Sequence, residues 1–305
     1  MSEQGHVADR LLEAVDQKGS PVCVGLDPRV DHLPEEFVIT DGDPVDQIEA
    51  VGRWAIKVLE VVAPHVPAVK PQIAYFECLA GDQGFYGLAA YATICKVAGE
   101  IGLIVVGDAK RGDIGSTAEA YAAAHLTGPC AVDAVTVNPY FGADGLQPFL
   151  DVGRDTGRGV FALVRTSNPS ATAVQDFTGK NGMTLYEHMG GQIAQIGRDA
   201  NLLGQRGYSL LGAVVGATYP EEARRLRRIM PQQIFLVPGY GAQGATAQDC
   251  AAAFKPDGTG AIVNASRSVI YAHNRPEFAD LAWEDAVAQA ARDFARDIAL
   301  AVQKS

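Results

Sequence analysis

The residues best able to do chemistry gather in one stretch. It reads Val105-Val106-Gly107-Asp108-Ala109-Lys110-Arg111-Gly112-Asp113-Ile114-Gly115-Ser116-Thr117. Asp108 and Lys110 stand two apart at the end of an apolar run. In a strand, that spacing points both side chains to the same side. An ammonium beside a carboxylate can stabilise negative charge developing on a substrate and then donate a proton to it. Lys70, in Val-Lys-Pro at the end of the preceding apolar run, adds a second cation. Asp113 follows on a loop, just ahead of a helix begun by Ser116 and Thr117. An Asp-x-Lys pair by itself is often only a structural ion pair. The longer pattern Asp-x-Lys-x-x-Asp-Ile-Gly-x-Thr is far more specific. Arg111 reads as a surface or packing residue.

A second set of residues suits an anionic ligand. Residues 237–244 read Val-Pro-Gly-Tyr-Gly-Ala-Gln-Gly, and glycines let backbone N–H groups come close to an anion. Arg267, in Asn-Ala-Ser-Arg-Ser at 264–268, can grip a phosphate through two N–H groups. Asp27, in Gly-Leu-Asp-Pro, and Ser167, in Arg-Thr-Ser-Asn-Pro, end two further apolar runs. Residues 168–182 read as a longer polar loop, placed to act as a lid.

Eight short apolar runs must position these side chains, at 22–26, 68–73, 103–106, 134–137, 160–164, 210–215, 234–237 and 261–263. They are rich in Val, Ile, Leu and Ala, as strands buried on both faces are. Helical patterns alternate with them at 45–62, 88–100, 116–126, 145–152, 183–203, 221–230, 247–254 and 283–302. An amphipathic N-terminal helix carries Val7, Leu11, Leu12 and Val15 on one stripe. Eight β–α units predict a (β/α)8 TIM barrel, one domain over 1–305 with an N-terminal and a C-terminal helix. A doubly wound open sheet is disfavoured, because the first strand ends Gly-Leu-Asp-Pro and lacks the Gly-x-Gly-x-x-Gly turn. In a barrel, chemistry sits at the C-terminal ends of the strands, which is where the polar residues punctuate this sequence.

Composition narrows the classes further. The chain has 305 residues, a net charge of −11 and 48% hydrophobic residues, which excludes disordered and collagen-like classes. The acidic balance argues against a nucleic-acid or membrane-surface partner. The cluster Arg224, Arg225, Arg227 and Arg228 therefore reads as a solvated helix face. Five scattered cysteines without a Cys-x-x-Cys pair, and no signal-like or spanning segment, point to the cytoplasm. Six isolated histidines give no metal pattern, and Trp54 and Trp283 read as packing residues.

The Lys-Arg-Gly-Asp-Ile-Gly segment and its surroundings resemble the orotidine 5′-phosphate decarboxylase family, in its longer bacterial branch. The resemblance runs from Asp27 to Arg267, with the landmarks in order. It implies a barrel that converts orotidine 5′-monophosphate to UMP and carbon dioxide, the last step of de novo pyrimidine synthesis. It also implies no metal, no organic cofactor, and a homodimer with active sites at the subunit interface. By resemblance, Lys110 is the catalytic lysine, set in a charge array with Lys70, Asp108 and Asp113. Asp113 would reach across the dimer into the partner's site, and Ile114 and Thr117 would cross with it. Asp27 would hold the ribose, and Ser167 the amide edge of the pyrimidine. Gln243 would bridge phosphate and pyrimidine beside Pro238 and Gly239. Arg267 would grip the phosphate next to Ser266, which stands where many members have glycine. A hexulose-phosphate synthase-like aldolase shares Asp-x-Lys-x-x-Asp. It needs a divalent metal and an acidic residue where Thr117 stands, so Thr117 and Lys70 favour the decarboxylase.

Overall fold

The computed structural model describes residues 5–79 and 85–304. Its strands are β1 (Val22–Leu26), β2 (Ala68–Pro71), β3 (Ile104–Arg111) and β4 (Ala134–Val137), then β5 (Gly159–Arg165), β6 (Leu211–Val215), β7 (Phe235–Pro238) and β8 (Ala261–Ala265). Each pairs in parallel with the next, and β8 pairs back with β1 to close the barrel. The β1, β2, β4, β6 and β8 residues are all buried, as a sheet enclosed on both faces requires. This is the (β/α)8 barrel that the eight apolar runs predict.

The helix Val7–Lys18 lies beneath the barrel. His6 caps its first turn by accepting from the Ala8 amide, and Gly19 ends it in the left-handed conformation. The Arg10 guanidinium ties it to Asp133, just ahead of β4, at 2.6 Å. The helix Trp283–Gln303 packs its buried alanines, Phe294 and Ile298 against the barrel's outside. Among the described residues, no helix is long and apolar enough to cross a membrane.

Four details depart from the sequence reading. The third strand does not stop at 106 but runs on to Arg111. The second strand ends at Pro71, and a short helix Ile73–Leu79 follows it. The pattern at 183–203 divides into a helix Leu185–Gly197 and a 3-10 turn Ala200–Leu202. Finally, Arg227 is not on a solvated face. It is buried, lies over the Phe235 ring, and donates to the carbonyls of Ala253, Met230, Gln233 and Gly260. Only Arg224, Arg225 and Arg228 of that run are exposed. Arg111, read as a packing residue, pairs with Glu77 at 2.5 Å and lies over the Tyr121 ring.

Candidate active site

The C-terminal mouth of the barrel holds a cavity of about 410 Å³. Asp27, Lys70, Asp108, Lys110, Ser167, Pro238 and Gln243 line it, arriving from the ends of β1, β2, β3, β5 and β7. Seven sequence-selected residues thus meet in one place. Gly239, Ser266 and Arg267 sit beside it, at the ends of β7 and β8, without lining it.

Asp108 is the centre of the charge arrangement. Its Oδ2 accepts from the Lys70 ammonium at 2.6 Å, and its Oδ1 from the Lys110 ammonium at 2.5 Å. Burial works to raise the Asp108 carboxyl. The charges and hydrogen bonds of the two lysines overcome it and hold the group well below the usual carboxylate range. Burial likewise works to lower Lys70, but the charges of Asp108 and Asp27 outweigh it and push the ammonium up. The two cations differ in access. The Lys70 side chain is 8% exposed, whereas Lys110 is 46% exposed toward the cavity. One carboxylate therefore orders two ammonium groups that both line the cavity, and Lys110 is the more accessible of them.

The side-chain directions do not come from strand alternation, contrary to the sequence argument. The β3–β4 register slips between Gly107 and Arg111. Lys110 has φ 47°, the one non-glycine residue with positive φ among the described residues. A bulge, not period two, aims Lys110 at the mouth.

On the anion side, Gly239, Gly241 and Gly244 all have positive φ, a region that side chains rarely adopt. A Cβ at Gly239 would also meet Gln243 Oε1 at 3.4 Å. Near β1, Asp27 Oδ1 is buried without a hydrogen-bond partner and faces the same cavity as Lys70. The Tyr271 hydroxyl donates to the Asp27 carbonyl at 2.9 Å and braces that loop. Ser167 packs so tightly on Gly216 that a Cβ there would lie 3.0 Å from it.

Asp113, Ile114 and Thr117 are not brought to the cavity of their own chain. Asp113 Oδ1 accepts from the Ile114 amide at 2.8 Å, and Ile114 and Thr117 are exposed. Within one chain the array is therefore Lys70, Asp108 and Lys110.

Comparison with known proteins decides the family. The sequence profile of the "Orotidine 5'-phosphate decarboxylase / HUMPS family" matches residues 20–281. An orotidine 5′-phosphate decarboxylase of Rhodopirellula baltica is 41% identical, over 92% of this chain and 94% of that one. One of Clostridium perfringens is 39% identical, over 96% and 99%. The solved UMP synthase of Leishmania donovani is 31% identical with a TM-score of 0.76, covering 97% of this chain and 57% of that one. The chain belongs to the orotidine 5′-phosphate decarboxylase family. Its relatives bear the name of a carboxy-lyase, which fits a mouth lined by charged side chains.

In this decarboxylase-family barrel, sequence reasoning missed two buried polar residues of the cavity. Thr136 on β4 and Asn264 on β8 both line the cavity, and both are buried. The available signal was polarity inside an apolar strand, Ala-Val-Thr-Val and Ala-Ile-Val-Asn-Ala. Asn264 Oδ1 has no hydrogen-bond partner, so it can accept from a ligand. Arg165 was also missed. It ends β5, outside the cavity, with partners brought in from two other segments.

Proposed function

We propose that the protein decarboxylates orotidine 5′-monophosphate to UMP and carbon dioxide, using its own side chains and neither metal nor organic cofactor. The observation that carries this reading is the Asp108 carboxylate clamped between Lys70 and Lys110 at the floor of the cavity. The bond between C6 and the carboxylate breaks, carbon dioxide departs, and the electron pair remains on C6. The Lys110 ammonium stabilises that charge and then gives C6 a proton. Its neutral amine takes a proton back from water. Asp108 is held ionised and keeps both ammonium groups in place, so little reorganisation accompanies the reaction.

The rest of the substrate is gripped away from C6. Asp27 Oδ1 accepts from a ribose hydroxyl. Ser167 and Gln243 meet the pyrimidine edge. The glycine loop of 239–244, with Ser266 and Arg267, receives the phosphate, in the position after the seventh and eighth strands that this fold uses. Binding energy collected there holds the pyrimidine against Lys110.

The protein works as a homodimer, and Asp113, Ile114 and Thr117 serve the partner's cavity. Their position outside their own cavity supports this. So does the apolar surface beside Asp113, where Ile114, Tyr140 and Phe141 are 53%, 80% and 46% exposed. Five free cysteines support the cytoplasm as the place of work.

The test is the ultraviolet decay of orotidine 5′-monophosphate in EDTA, with UMP confirmed as product. Turnover is expected for the natural protein. Lys110→Ala is expected to lose at least about 1000-fold in kcat while staying folded. No turnover by folded protein, or full turnover by Lys110→Ala, would remove this reading.

A further inference from the structure

Thr136 stands opposite the bulge in β3. Gly107 pairs with Val135 and Arg111 pairs with Val137, so Asp108, Ala109 and Lys110 all face Thr136 alone. Three residues against one cannot all complete backbone pairing with β4. The Thr136 hydroxyl takes up the excess. It accepts from the Ala109 amide at 3.0 Å and from the Lys110 amide at 3.0 Å. A hydroxyl has two acceptor positions and one hydrogen. With both acceptor positions used, its hydrogen goes to Asp108 Oδ1, at 2.9 Å. Every bonding position of this buried oxygen is filled.

The same Asp108 Oδ1 receives the Lys110 ammonium. One oxygen atom thus fixes both ends of Lys110, its left-handed backbone directly and its ammonium through Asp108. The left-handed conformation is strained for a lysine, so it needs an outside restraint. We propose that Thr136 is the positioning residue that holds the Lys110 bulge and sets the direction from which Lys110 Nζ reaches the substrate. Thr136 need not touch the reacting atoms. This inference rests on the reading of Lys110 as proton donor.

The experiment compares Thr136→Val, Thr136→Ser and Lys110→Ala in steady-state decarboxylation of orotidine 5′-monophosphate. Valine fills the same space without the hydroxyl, and serine keeps the hydroxyl. Phosphate and ribose contacts lie elsewhere, so KM should stay within about 3-fold in Thr136→Val while kcat falls about 10- to 100-fold. Thr136→Ser should restore kcat to within about 3-fold of the natural protein. A purely structural role would not separate kcat from KM in this way. If Lys110→Ala is inactive and folded Thr136→Val keeps its kcat, the positioning role is overturned while Lys110 stands. If Lys110→Ala retains full activity, both fall. Should Thr136→Val not fold, Thr136→Cys decides, because a thiol is a poor acceptor in the same space. Unchanged kcat in Thr136→Cys overturns the proposal, and a kcat loss at constant KM supports it.

Discussion

Two charge clusters stand at the C-terminal end of this barrel, and they are near mirror images. At β2 and β3, one carboxylate, Asp108, holds two ammonium groups. At the end of β5, one guanidinium, Arg165, holds two carboxylates, Glu222 at 2.6 Å and Asp176 at 2.8 Å. Both central groups are buried. They differ in what covers them. The Arg165 guanidinium is 0% exposed and lies between the rings of Tyr219 and Tyr186, at 4.0 and 5.1 Å. Lys110 opens on the cavity. The Arg165 cluster fastens Asp176 and Gln175, in the segment after Ser167, to the helix Pro220–Ile229 that carries Glu222. The electrostatics differ in direction too. The lysines hold Asp108 down, whereas burial pushes Glu222 up despite its pairing with Arg165. A buried ion cluster at a strand end therefore does not by itself mark catalysis. What sets the Asp108 cluster apart is an accessible charge, Lys110, on a backbone of positive φ.

The largest effect expected is at Asp108. Asp108→Asn leaves the buried Lys70 ammonium facing Lys110, with Asp27 the remaining carboxylate to oppose it. We expect kcat/KM to fall by more than about 1000-fold and unfolding free energy by about 3–5 kcal/mol. Urea denaturation checks the stability half. The folded carboxyl lies below its unfolded range, so its stabilisation is present above about pH 4 and lost only as pH falls through the lowered value. The stability gap between the two proteins should be flat near neutrality and narrow only in strong acid. A gap that closes already at pH 6 would contradict this account of Asp108.

Arg165→Met is the matching test on the other side. It strands two carboxylates that keep some contact with water, so the expected loss is about 3 kcal/mol. Folded variant should keep kcat within about 3-fold and lose its hold on substrate through KM, because Ser167 is only two residues away. If kcat collapses as in Asp108→Asn, the distinction between the two clusters fails.

The sequence displays the barrel well and the site's aim poorly, for physical reasons. Strands enclosed on both faces must be apolar, so all eight stand out as short runs. The same rule hides the end of β3, because three of its last four residues, Asp108, Lys110 and Arg111, are charged and the strand is no longer fully buried beyond Asp108. The charged members of the site are legible from residue type and spacing. The bulge is not, since a positive φ normally shows as glycine and here falls on Lys110. Thr136 meets the Ala109 and Lys110 amides only through a register slip between two strands. Arg165 gathers partners from Asp176 and from Glu222, 57 residues away, which no local pattern reveals. Arg227 fails for the opposite reason. Its neighbours in the run are solvated, and only packing shows that it turns inward to four carbonyls.

A smaller effect separates the Asp108 cluster from its immediate neighbour. His125 is 3% exposed, and its Nε2 accepts from Arg111 Nε at 3.3 Å, one residue beyond Lys110. Burial and the Arg111 charge push the imidazole down to about 4, against a weaker pull from Glu77. The unfolded chain therefore binds a proton below about pH 6.5 that the folded chain refuses until pH nears 4. Stability should fall as pH drops through that window, by at most about 1.4 kcal/mol per pH unit from this group. His65 and His273, also pushed down by burial, add in the same direction. The Asp108 cluster adds little to the slope until pH nears 4, where the unfolded Asp108 carboxyl begins to bind a proton, and Lys70 titrates far above the window. His125→Gln should thus flatten the curve of unfolding free energy between pH 6.5 and 4, measured by urea denaturation, and leave kcat at pH 7 unchanged. An unaltered slope would place the acid sensitivity elsewhere. A flattened slope with intact kcat would show that acid reaches the fold beside the site while the Lys70, Asp108 and Lys110 charges stay as they are.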